Sequence, residues 1–196
     1  TFECGGVKLD VIFTAPLLMD NLDLMSRPVN YVTYQVASTD GKPHEVGVYF
    51  ETTPQWAQHR IFQPVQCELK ETAGQYLLKT GTKEQKILGR RGDDVMIDWG
   101  YFYLAARTEK QTEMKVSDRK QLVYSRDMET VSDSPRSGFL MVGYDDLYSI
   151  QYFKDNRMGY WKHNGKKNIR QAFEGSAEEY RSVMDRCRHF DTRLME

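Results

Sequence analysis

Val7, Leu9, Val11 and Phe13 alternate with Lys8, Asp10 and Thr14, with Ile12 out of step on the polar side. Strand side chains point to opposite faces with a period of two, so this stretch predicts a half-buried strand. Strand-sized runs of this kind recur through most of the chain and set its fold class. Tyr31 to Ser38 and Val46 to Thr53 are β-rich. Between them Thr39-Asp40-Gly41-Lys42-Pro43 supplies turn chemistry, with Gly41 free to take positive φ, which predicts a hairpin. Val65, Cys67 and Leu69 line one face of another strand, with Tyr76 to Thr80 pairing to it through Ala73-Gly74-Gln75.

Val95 to Ala106 reads as one long strand. Val95, Ile97, Trp99, Tyr101 and Tyr103 fall on one face, and Met96, Phe102 and Leu104 on the other. Apolar residues on both faces predict a central strand of a sandwich. Gly138 to Val142 and Leu147 to Phe153 give later strands, and Asn164-Gly165 is a two-residue turn signal. Thr108 to Arg136 is polar and poorly periodic, and predicts an exposed loop with one weak strand near Gln121 to Ser125.

The period changes after Lys167. Asn168 to Phe173 reads as a short helix stopped by Gly175. Ser176 and Glu179 then form an S-x-x-E capping box, and Tyr180, Val183, Met184, Cys187, Phe190 and Leu194 follow at spacings of three and four. The expected layout is mainly β: an antiparallel, supersandwich-like β-sandwich over residues 1–166 and a helical connector over 167–196. A start at Thr1 without Met, and an end inside a helical pattern, predict a piece of a larger protein.

Composition narrows the function classes. Lys plus Arg total 27 and Asp plus Glu 28, so no global field draws in nucleic acid or an anionic membrane. No apolar run nears the roughly 18 residues of a membrane-spanning helix. The three cysteines, Cys4, Cys67 and Cys187, are too few and too far apart for a disulfide framework or a CxxC metal site. His44, His59, His163 and His189 show no HxH or HExxH spacing, and no glycine-rich phosphate loop is present, so neither metal nor cofactor is expected. Cys187 and His189 sit two apart on the predicted helix and point about 200° apart, which excludes a dyad. No catalytic residue is assigned.

Candidate binding residues are Asp93, Asp94, Asp98, Trp99 and Trp161. Paired carboxylates serve glycoside hydrolysis or a hard cation, and exposed aromatics such as Trp56, Trp99 or Trp161 stack on sugars. The structural alternative makes Gly92-Asp93-Asp94 a turn, Asp98 a strand carboxylate paired with an Arg or backbone NH, and the indoles core. Spacing favours structure for the acids. Arg91-Gly92-Asp93 reads as a surface turn.

The segments SRPVNYVTYQVASTDGKPHEVGVYFE (26–51), GRRGDDVMIDWGYFYLAA (89–106) and CRHFDTRLME (187–196) together resemble the glutaminase A family of fungi and bacteria. That resemblance implies the N-terminal β-sandwich of a larger exported protein, secreted, periplasmic or at the cell surface. Its partner would be a C-terminal helical (α/α)6-like domain of the same chain. The implied activity is hydrolysis of L-glutamine to glutamate and ammonia in that missing domain, with this region supporting or shaping the active site. The alternative is a carbohydrate-binding or glycoside-hydrolase-associated sandwich, in a parent that acts on a small molecule or a glycan.

Overall fold

The computed structural model describes residues 1–72, 74–93, 95–132 and 134–196. Its strands are β1 (Phe2–Cys4), β2 (Val7–Thr14), β3 (Val29–Ser38), β4 (His44–Thr52), β5 (Val65–Glu71) and β6 (Gln75–Thr82), then β7 (Tyr101–Arg107), β8 (Thr112–Val116), β9 (Leu122–Val131), β10 (Arg136–Asp145), β11 (Ile150–Tyr152) and β12 (Asp155–Arg157). There are also two α-helices, α1 (Leu22–Ser26) and α2 (Ile169–Met195), and short 3-10 turns at Pro54–Ala57 and Tyr160–Lys162.

The strands form a seven-stranded sheet in the order β1-β2-β3-β10-β7-β6-β5, a three-stranded sheet β4-β9-β8 and a small β11-β12 hairpin. All the strand pairs are antiparallel. The chain is thus mainly β, with antiparallel sheets and a C-terminal helix. On one face of the large sheet Val32, Tyr34, Leu78, Phe102, Leu104 and Leu140 meet Leu122, Tyr124, Met128 and Val131 of the small sheet. On the other, Tyr31, Tyr103, Ala105 and Met141 meet Phe173, Ala177, Val183 and Cys187 of α2. Leu104 and Met141 are fully buried on opposite faces, and each such side chain contributes roughly 1.5–3 kcal/mol by leaving water.

Five expectations need correction. Residues 39–43 turn as predicted, with Gly41 at φ 70° and Asp40 accepting from the Lys42 amide at 3.0 Å, but they do not close a hairpin. Both edges of β3 are already taken by β2 and β10. The turn therefore arches between sheets and delivers β4 to β9. The predicted long strand starts only at Tyr101, because Gly100 at φ 82° breaks the extended backbone, and Val95, Met96 and Ile97 stand exposed. From Tyr101 onward β7 is central and buried on both faces, as expected.

The stretch read as a loop holds β8 and the ten-residue β9, the middle strand of the small sheet. Its charged outward face hides the inward row of Thr112, Met114, Leu122, Tyr124 and Val131. Finally, α2 runs unbroken through Gly175, capped by Asn168, whose Oδ1 accepts from the Gln171 amide at 3.1 Å while Gln171 Oε1 accepts from the Asn168 amide. A helical glycine costs about 1 kcal/mol, and burial of Phe173 and Ala177 on either side outweighs it. Ser176 caps nothing; it is buried and takes a hydrogen bond from Arg27, which also pairs with Glu179 at 2.9 Å. The β5–β6 hairpin forms as predicted from Val65↔Thr82 to Glu71↔Tyr76, with Ala73 of its turn outside the described residues. The strand expected at 147–153 shortens to β11.

Strand register defines two ends. Val29↔Gly143, Tyr101↔Asp145 and Val65↔Thr82 lie at one, from which loops 15–28, 53–64, 83–100 and 146–168 emerge. This is the loop end. The connections that follow Ser38, Glu71, Arg107 and Val131 mark the opposite, turn end.

Candidate functional site

Asp98 lies at the loop end, just before β7, and is 2% exposed. Its Oδ2 accepts from Arg90 Nε at 2.6 Å and from Gln63 Nε2 at 2.8 Å, while its backbone carbonyl accepts from the Thr82 hydroxyl at 2.6 Å. Oδ1 is buried without a hydrogen-bond partner among the described residues. A buried carboxylate needs a charged partner, and Arg90 is that partner. The surrounding glutamines extend the tie: Gln63 Oε1 accepts from the amides of His59 and Arg60, and Gln85 Oε1 from that of Gly100. One carboxylate thus fastens loop 53–64 to loop 83–100.

The other candidates do not converge on it. Asp93 is exposed on the turn after Gly92, whose φ of 117° fits the expected surface turn, and Asp94 lies outside the described residues. Trp99 is 7% exposed and donates Nε1–H to the Tyr148 carbonyl at 3.4 Å. Trp161, 5% exposed, belongs to the core under α2. Neither indole presents an open face. Trp56 does: it is 64% exposed and lies parallel to the Phe102 ring, 5.8 Å away.

Cys187 is buried in the helix–sheet core, where desolvation raises its thiol pKa, and His189 is exposed. Low-pKa thiolates are the reactive ones, so Cys187 sits in an inert setting. His44 and His163 each contact a carboxylate, Asp40 at 2.8 Å and Asp23 at 2.6 Å. Among the described residues no cluster of His, Cys, Asp and Glu fits a metal ion, and no helix is long and apolar enough to cross a membrane.

Two features escaped the sequence reading. The β11–β12 arm carries Tyr152 and Phe153, 58% and 84% exposed, with Phe153 and Lys154 both at positive φ. It was masked by its resemblance to an ordinary strand. A polar groove of 1040 Å³ runs beside α2 and contains Arg107, Arg126 and Arg181. Its arginines come together only by folding, Arg107 and Arg181 being 74 residues apart in sequence, and no spacing signals them.

The fold defines a class: a two-sheet antiparallel sandwich with one long helix laid on its outer face. The chain belongs to the family described as "Domain of unknown function (DUF5127)", whose profile matches residues 1–123 and 108–196. No curated protein matches. Among solved structures it is similar to one described as a kojibiose phosphorylase from the human microbiome. The two are 9% identical with a TM-score of 0.46 over 90% of this chain and 19% of that one. The chain therefore spans less than a fifth of that protein's length. Neither comparison carries the glutaminase A resemblance, since the family description names no activity.

Proposed function

We propose that this chain is the supporting β-sandwich module of a larger enzyme, docking through its loop end onto a further, helical domain of the same polypeptide. The observation that carries this reading is where the exposed apolar side chains fall. Most of the large ones, among them Leu17, Met19, Phe62, Met96 and Phe153, sit on the four loops of that end, and concentrated apolar exposure marks partner surfaces. Asp98 supports the same reading as an anchor for two of those loops. Its ties to Arg90 and Gln63 leave it poorly placed as one of a pair of hydrolytic carboxylates, which must face each other across an open cleft about 5 to 10 Å wide.

Hydrogen exchange tests the docking. Amides of 53–64 and 83–100 exchange more slowly in the full-length parent than in the 196-residue chain if the loop end is covered; equal rates sink the proposal. The parent's reaction is proposed from the resemblance alone as glutamine hydrolysis, with export from the cytoplasm. Parent and chain assayed side by side on glutamine and a glycoside panel decide it, and turnover by the isolated chain would overturn the supporting role.

A second reading, a carbohydrate-associated sandwich, is favoured by Trp56, an exposed indole held flat against Phe102. Glycan-array binding that disappears in Trp56→Ala supports it. A blank array counts against it.

A further inference from the structure

The large sheet is wider than the helix that covers it. Toward the turn end its α2-facing side is left open at Asp10, Gln35 and Ser137, and the side of α2 forms a wall, giving the 1040 Å³ groove. We infer that this groove is a binding site for a neutral, polyhydroxylated chain, that is, an oligosaccharide. This rests on the carbohydrate reading for its ligand class but moves the site, to the end of the molecule opposite Trp56.

The lining dictates the ligand class. Arg107, Arg126, Arg181 and Arg188 are interleaved with Asp10, Glu109 and Glu178, and Arg188 is itself paired with Asp185, so an anion meets carboxylates and a cation meets guanidinium groups. Sugar hydroxyls donate and accept at once and suit both. Ligand sites are concave and largely pre-formed, and this groove is already fixed. Arg126 is held by Glu109 at 2.6 Å. Arg107 donates to the Ala177 carbonyl at 2.6 Å, and the Tyr180 and Thr33 hydroxyls are paired at 2.9 Å. Side chains immobilised beforehand lose little entropy on binding.

Gly138 opens the groove inward. A Cβ there would overlap the Tyr34 hydroxyl and come within 2.9 Å of an Arg126 nitrogen. Without it the groove reaches Tyr34, which is 2% exposed and bonded to the Tyr124 hydroxyl at 2.6 Å. Gln35, Ser137, Glu178 and Arg181 make no side-chain hydrogen bond among the described residues and are free for a ligand.

The experiment is an array of neutral glycans with an oligogalacturonate as the acidic comparison, followed by titration calorimetry of the whole 196-residue chain with the best tri- or tetrasaccharide. Arg181→Met, whose side chain is exposed, and Arg126→Met are each expected to weaken binding about tenfold, the loss of one hydrogen bond to a charged group. Trp56→Ala is expected to leave it unchanged. Unchanged affinity in both arginine variants with loss in Trp56→Ala overturns the groove and keeps the carbohydrate reading. Binding to no neutral glycan overturns both. Preference for an oligogalacturonate over every neutral chain overturns the ligand class.

Discussion

Gly41 at the turn end and Gly100 at the loop end both hold positive φ, 70° and 82°. Around Gly41 nothing lies within 4 Å of where a side chain would begin, whereas at Gly100 it would collide with the backbone of Asp145 and Asp146. The turn end is a set of short polar connections, tied to one another only lightly, as where the Thr108 amide donates to the Gly74 carbonyl at 3.1 Å, and the 39–43 turn is held largely by its own side chains. Asp40, for instance, takes hydrogen bonds from Lys42, Ser38 and His44. The loop end is a packed, cross-tied layer that nonetheless leaves Phe62, Met96 and Phe153 in water. Long loops that are rigid at the base and apolar at the surface are built for contact.

The largest expected effect is at the loop end. Gly100→Ala forces both a strained φ and a backbone overlap, and should lower stability by about 3 kcal/mol or more. For a chain of this length that is a drop of roughly 6 to 12 °C in melting temperature. Gly41→Ala meets only the conformational penalty and should cost about 1 kcal/mol. Equal losses in calorimetry would erase the distinction between the ends.

Asp98→Ala comes next. It removes charge-assisted hydrogen bonds from Arg90 and Gln63 and should cost about 2 kcal/mol, with faster exchange in 53–64 and 83–100 and none added in 39–43. Were Asp98 a catalytic acid rather than an anchor, the melting temperature would hold and the parent's activity would vanish.

How far these features were legible follows from their range. Alternation in 7–14 and the apolar row of β7 are local signals, and both gave strands of the right kind. The 39–43 turn was read correctly as a turn and wrongly as a hairpin, because which strands pair with β3 is decided by residues more than 90 positions away in β10. The β9 strand was obscured by Arg126, Asp127 and Glu129, whose charges face outward or pair across the groove. For Asp98, the need for a partner was evident from a carboxylate among apolar neighbours. An arginine was among the partners expected, and Arg90 is only eight residues away; that Gln63, 35 residues away, shares the same oxygen required the fold. Trp56 and Trp161 carry the same residue type in similar company, and only packing separates the exposed indole from the buried one.

The smallest effect concerns the β11–β12 arm, where the two loop-end requirements pull apart. Tyr152↔Asp155 closes a two-residue turn with Phe153 and Lys154 both left-handed. Such turns favour Asn-Gly, and a side chain with a Cβ in that region costs roughly 1 kcal/mol per residue. All six strand residues of the arm are exposed, and neither core cluster includes them. Folding therefore gains nothing from Phe153 beyond its edge-on contact with Tyr152, 4.5 Å between ring centres. The double variant Phe153→Asn, Lys154→Gly should raise the melting temperature of the isolated chain slightly, by about 1 to 3 °C for a gain near 0.5–1 kcal/mol. In the full-length parent the same change should weaken protection of the loop end. A fall in the isolated chain's melting temperature would mean that Phe153 serves the fold itself, and the arm would lose its place in the docking surface.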